Sequence, residues 1–339
     1  MGRCHLTNCF LAFLAAIAMS GCDMDRIESN ELTVQGMKYY NSGNVLQAMN
    51  AFRSAVTKDP NNDQALYRLA QLEMVQHSYD EAKTHLGLCI SLRPDVAQYY
   101  YQLGSTQYDQ ALSLPDSPES QIAKERLYGN CIDAFKKAIE LDPAFSEAHL
   151  RLGRCYLADA RFEDAVRAFE QSIIENPNLK TTGRFGTAIA FKELGILYAN
   201  FGFYDKAIAV FMQGIRQNPG DFELETEFAN VYQDMGRYKE ASAHFEGAYD
   251  ILKKLGGESE RSLPAIFGAG SAHYALAKAA QKDGKVRESL DEYALAQQWF
   301  KRFNAHAVSD DVRAQRQAAN AYISEIDGIL KNDLDADEE

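Results

Sequence analysis

Apolar residues recur along this chain at intervals of three and four, the spacing that places them on one stripe of an α-helix. Between Ser146 and Pro177 the stretch SEAHLRLGRCYLADARFEDAVRAFEQSIIENP reads as two amphipathic helices with a tight turn between them. Leu152, Gly153 and Tyr156 share a face of the first helix; Ala165, Phe169 and Ser172 share a face of the second. Gly153, Ala165 and Ser172 are small where two helices must approach closely. Leu152, Tyr156 and Phe169 are large where the space between them must be filled. Pro177 lacks a backbone donor and pushes Asn176 away from helical geometry, so the chain turns there.

The same pattern returns with prolines at Pro60, Pro94, Pro143, Pro177 and Pro219. Pro60 and Pro94 are 34 residues apart, as are Pro143 and Pro177. It reads Leu32, Gly36, Tyr39, Ala48, Phe52, Ala55, Pro60 at the start, and Phe191, Leu194, Gly195, Tyr198, Ala207, Phe211, Gly214, Pro219 later. This period, with a helix–turn–helix in each unit, resembles the tetratricopeptide repeat family. The resemblance implies an all-α fold: a right-handed superhelical solenoid of antiparallel helix pairs, about six to seven repeats long, closed by a C-terminal capping helix.

The expected repeats span roughly 29–62, 63–96, 97–145, 146–179, 188–221 and 222–255, with insertions near 109–126 and 178–187. The first insertion, around Leu114-Pro115-Asp116-Ser117-Pro118, should form a loop with extended helix ends. A degenerate seventh repeat with a capping helix occupies 256–330, with Val308 to Leu330 as the cap. An acidic, disordered tail follows at 331–339.

Composition narrows the function. An apolar fraction of 46% suits a folded chain, and a net charge of −13 argues against nucleic acid, which needs a basic surface to displace phosphate counterions.

The first 21 residues read as a targeting segment: Arg3 supplies a positive start, and FLAFLAAIA from Phe10 to Ala18 is an apolar core too short to span a bilayer well. Met19-Ser20-Gly21-Cys22 then resembles the lipobox of bacterial lipoproteins, which implies cleavage before Cys22 and lipidation of its thiol. Met19 stands where that family more often has Leu. An ordinary signal peptide or an uncleaved anchor remains the alternative. Residues 22–30 would be a short polar tether. Asp23 resembles the enterobacterial signal for inner-membrane retention, with the outer membrane left open; either way the chain would face the periplasm.

Catalytic patterns are missing: there is no phosphate loop, no Gly-x-Ser-x-Gly elbow and no His-Glu-x-x-His. Gly268-Ala269-Gly270 reads as a Gly-rich entry to a repeat helix. The six histidines beyond the targeting segment, His77, His85, His149, His244, His273 and His306, do not fall at ligand spacing, so packing or surface roles are expected and no metal or other cofactor is. Cys89 and Cys131 occupy small-residue positions and read as buried free thiols, while a Cys131–Cys155 bridge stays open in an oxidising compartment.

In the tetratricopeptide family the first helix of each repeat lines the inner side of the superhelix. The corresponding positions are Met37, Tyr40, Tyr67, Gln71, Met74, Tyr101, Tyr108, Leu150 and Arg154. Tyrosine offers contact area with a polar tip, and methionine adapts to varied shapes, so this strip suits capture of a peptide or helix. The alternative is that some of these residues pack against neighbouring helices. A basic clamp for a chaperone's C-terminal carboxylate would need Lys, Arg and Asn where Thr33, Gln71 and Ser105 stand.

The expectation is therefore a non-enzymatic, lipid-anchored scaffold or adaptor in the bacterial envelope. It would bind a protein or peptide in the manner of pilotins or protease adaptors, with self-association left open. A polysaccharide-binding or export-associated role, and an enzyme site built across repeats, are the alternatives.

Overall fold

The computed structural model describes the backbone of residues 4–180, 188–256 and 260–337, and the side chains of residues 23–180, 188–256 and 260–331. The leader, Cys22 and most of the 178–187 insertion lie outside the described side chains. Among the described residues there are fifteen α-helices and no extended strand; only Lys180 and Ala188 form an isolated bridge.

The chain divides into two compact units, Met1–Ala168 and Phe169–Glu339, with the boundary inside α8. Unit 1 holds α1 (Cys4–Asn41), α2 (Val45–Lys58), α3 (Asp63–Val75), α4 (Tyr79–Leu92), α5 (Ala97–Ser113), α6 (Pro118–Leu141) and α7 (Ser146–Ala158); α8 is Phe162–Glu175. Unit 2 holds α9 (Ile189–Asn200), α10 (Tyr204–Gln217), α11 (Phe222–Asp234), α12 (Tyr238–Lys254), α13 (Leu263–Lys282), α14 (Val286–His306) and α15 (Arg313–Asp337).

In each unit a helix packs on its sequence neighbour, and each first helix also touches the first helix of the next pair: α1 with α3, α3 with α5, α5 with α7, then α9 with α11 and α11 with α13. That double neighbourhood stacks the pairs in chain order. The prolines act as expected: α2, α4, α6, α8 and α10 each stop two residues before Pro60, Pro94, Pro143, Pro177 and Pro219.

Within the pairs, six turns of three residues share one solution. Their middle residue takes positive φ: Gly43, His77, Ala160, Gly202, Gly236 and Gly284. The following amide reaches back five residues, as Arg161 N does to Tyr156 O at 2.8 Å and Lys285 N to Ala280 O at 2.9 Å. This closes the helix C-terminus and aims the chain back along itself.

Small residues admit aromatic rings as the sequence pattern requires. A Cβ on Gly36 would lie 2.6 Å from Phe52, and one on Gly104 would lie 3.0 Å from Phe135. Phe52, Phe135, Phe169, Phe191, Phe211, Phe245 and Phe300 are all fully buried.

The structure corrects four expectations. Asp23 to Asn30 is no loose tether; it is helical and continuous with α1, and Ser29 is fully buried, its hydroxyl donating to Ala55 O at 2.8 Å. The helix ends around 109–126 are extended as expected, but the loop shrinks to 114–117, because α5 and α6 run 17 and 24 residues. Ser117 caps α6 and Pro118 sits at its first turn, where its missing donor costs nothing. Gly268 and Gly270 lie inside α13 rather than at its entry, facing Phe245 and Phe300. Finally, α15 continues to Asp337, through most of the expected disordered tail.

The N-terminal end of the stack is polar by substitution. Ala65, Leu69 and Leu72 of α3 are buried, the two leucines against Ala48, Met49 and Phe52 of α2. At the same register 34 residues earlier, α1 carries Glu31, Gln35 and Lys38, all exposed, and among the described residues no helix pair packs against that face. At the other end α15 packs on α14 as a further first helix would, and its Tyr322 stacks on Phe300 of α14 at 4.8 Å and lies tilted, 4.6 Å from Tyr274 of α13.

Candidate functional site

The strip drawn from the sequence falls on α1, α3, α5 and α7, all in unit 1 and each touching the next. Tyr40 is 48% exposed, and Met37 is half-buried against the cluster around Phe52. On α3, Tyr67 is half-buried and its ring lies 5.3 Å from that of Tyr99. Gln71 Nε2 donates to Tyr67 Oη at 3.0 Å, and burial pushes the Tyr67 hydroxyl above its ordinary pKa. Gln102 Nε2 donates to Met74 Sδ at 3.1 Å.

On α5, Tyr101 is wedged between Phe135 (5.7 Å) and Phe145 (4.8 Å), and Tyr108 lies 6.2 Å from Tyr128. Leu150 is buried, so it belongs to the core and offers a partner little surface. Arg154 is half-buried.

Apart from Arg154, the sequence reading thus missed the charge on this face. Arg68 Nη1 donates to Gln71 Oε1 at 2.8 Å, and its guanidinium lies 5.7 Å from the Tyr67 ring. Arg151 lies 5.9 Å from the centre of Tyr108 and 3.6 Å from the Asp109 carboxylate on α5. Burial raises the Asp109 pKa, while Arg151, His77 and Arg154 oppose that rise. Stepping one residue off the family's positions would have found Arg68, Asp109 and Arg151. Tyrosines, a thioether, an amide and arginines side by side can hold an extended or helical peptide through apolar contact and directed hydrogen bonds.

The cysteines divide differently from the favoured expectation. Cys131 is not a free thiol: it is bonded to Cys155, linking α6 to α7 across 24 residues. Cys89 is free and buried, and burial pushes its thiol up to about 12, so it is protonated and inert.

Three histidines have carboxylate partners that their sequence spacing did not reveal: His85 with Glu73 (2.7 Å), His244 with Glu225 (2.7 Å), and His273 with both Glu292 (2.6 Å) and Glu246 (2.8 Å). Among the described residues no group of three or more His, Cys, Asp or Glu is arranged to hold a metal ion. No helix there is long and apolar enough to cross a membrane.

Comparison with known proteins agrees with this geometry. The tetratricopeptide repeat family profile matches residues 40–105 and 125–180. The solved structure of a tetratricopeptide repeat protein from Parabacteroides merdae superposes with a TM-score of 0.52 at 18% identity, covering 88% of this chain and 98% of that one. Superkiller complex protein 3 of mouse is 22% identical, over 81% of this chain and 20% of its own. Mitochondrial import receptor subunit TOM70 of human is 22% identical, over 76% of this chain and 39% of its own. The chain therefore spans only a fifth of the first relative and about two fifths of the second. With its 34-residue period, its stacked helix pairs and the profile match, the chain carries tetratricopeptide repeats over 40–105 and 125–180 and has the fold of a tetratricopeptide repeat solenoid, repeats of the kind that serve as scaffolds for protein–protein interaction.

Proposed function

We propose that this scaffold is tethered by a lipid on Cys22 to a bacterial cell membrane, faces the periplasm, and holds a protein partner on the first-helix face of unit 1. The observation that carries the reading is the row of Tyr40, Met74, Tyr108, Arg151 and Arg154, partly open to solvent on helices that touch in sequence. The lipobox-like Met19-Ser20-Gly21-Cys22 supports the anchor. The Cys131–Cys155 bond supports an oxidising compartment, since cytosolic thiols are kept reduced. Because the helix of α1 continues through Asp23–Asn30, the first repeat would stand close to the membrane surface. Binding rather than catalysis is the role, as a pilotin-like or assembly adaptor.

The test is a crosslinking pull-down from native membranes with the wild-type chain, Cys22→Ser, and the double variant Tyr40→Ala/Tyr108→Ala. A protein captured by wild type, lost with the double variant and displaced from the membrane fraction with Cys22→Ser is expected. Capture of envelope glycan alone, or unchanged capture by the double variant, overturns the reading.

A further inference from the structure

His273 lies on α13 with only 8% of its side chain exposed, between two carboxylates from different helices. Nδ1 is 2.6 Å from Glu292 Oε2 on α14, and Nε2 is 2.8 Å from Glu246 Oε1 on α12. A neutral imidazole has one N–H and one lone pair, so it can donate to only one of these oxygens. Both contacts become hydrogen bonds only when the ring carries both protons. Loss of one sets a lone pair of the buried ring against an anionic oxygen, which is repulsive, although the Glu246 and Glu292 side chains are themselves 43% and 24% exposed.

The other paired histidines differ. His85 faces Glu73 and His244 faces Glu225, each through Nδ1 alone, which a neutral ring can serve. His85 and His244 both sit on a second helix, one residue before Leu86 and Phe245, the buried side chains that fill their helix pairs. In the seventh pair the roles are exchanged: Glu292 stands before the buried Tyr293, and the histidine faces it from the first helix. That exchange lets His273 also reach back to Glu246 of the preceding pair. The other charges near it are engaged elsewhere: on α13 and α15, Lys278 and Glu325 meet each other and Tyr274, and on α11 Glu225 takes His244.

We propose that the junction of α12, α13 and α14 is a proton-dependent clamp, closed when His273 donates through both nitrogens and loosened when that ring loses a proton. With both N–H groups present each carboxylate receives a hydrogen bond, and with one present an anionic oxygen faces a ring lone pair, so the junction should hold better at the acid end of the range tested.

Trp299, the single tryptophan of the chain, reports on this junction directly: it lies on α14 with its ring 5.2 Å from Tyr249 of α12. Its fluorescence during denaturant unfolding of the full-length chain, across about pH 5 to 8, the interval of histidine titration, is the measurement. Over that interval the Trp299-reported folding constant of the wild type should fall severalfold relative to that of Glu246→Gln. That variant leaves His273 a single carboxylate, so one N–H suffices and the profile should flatten; His273→Gln should flatten it too. The same pH profile in wild type and Glu246→Gln, or a wild type that strengthens as pH rises, overturns the proposal. Should either variant fold poorly, the ring nitrogen resonances of wild-type His273 decide: two N–H protons at the acid end support the clamp, and a single neutral tautomer throughout refutes it.

Discussion

Phe211 of α10 lies directly over Gly195 of α9, so close that a Cβ on the glycine would sit 2.5 Å from ring carbons Cε2 and Cζ. Phe211 is fully buried and its other side stacks on Phe228 at 5.7 Å, so the ring has nowhere to retreat. The small-against-large pairing that defines each repeat is here a hard steric limit.

Gly195→Leu should therefore overpack the α9–α10 pair and cost about 1–3 kcal/mol or more. Thermal unfolding monitored by circular dichroism checks it; an unchanged melting temperature would mean that the pair separates at no cost.

Ala160 holds φ at 56° in a turn where four of the other five middle residues are glycine. An L-residue pays about 1–2 kcal/mol for that conformation, part of which glycine returns through its greater freedom when unfolded. Ala160→Gly should stabilise unit 1 by about 0.5–1 kcal/mol, read as a higher denaturant midpoint.

The Cys131–Cys155 bond closes a loop of 24 residues between α6 and α7. Cys131→Ser or reduction should cost about 3 kcal/mol in unit 1. Thiol titration of the unfolded chain, with and without reductant, checks the pairing itself.

The α15 cap should loosen in acid. Tyr274 Oη donates to Glu325 Oε1 at 2.6 Å and Lys278 lies 3.4 Å from it; the tyrosine bond, then the lysine, hold the Glu325 pKa below its ordinary 4.5. A carboxylate depressed in the folded state contributes stability above its unfolded pKa and loses it as pH falls through the folded one. Hydrogen exchange in α15 should rise on acidification below that ordinary value, and Glu325→Gln should remove the dependence. The effect will be modest because Glu325 is largely exposed to solvent.

How far the sequence announced this molecule depends on what kind of information a feature carries. Proline stops, turn positions and the Gly/Phe pairing are local and periodic, so Gly36–Phe52 and Gly195–Phe211 were legible before any coordinates. The 109–126 insertion was legible only in part: extended helix ends were expected, but spacing does not say that only 114–117 is left as connector. Cys131–Cys155 and His273 with its two glutamates depend on which helix faces which across 19 to 27 residues, and spacing alone carries no such signal. On the candidate face, the position rule found Tyr67, Tyr101 and Tyr108. It could not see that Phe135 and Phe145 already occupy Tyr101, or that Leu150 is core.

A photo-crosslinking residue placed at Tyr108, and separately at the exposed Leu88 of α4 as a control on the second-helix side, tests the central claim most directly. Irradiated in native membranes, the Tyr108 position should yield a discrete protein adduct that the Leu88 position lacks. Adducts from Leu88 alone, or from neither position, would contradict a partner held on the first-helix face.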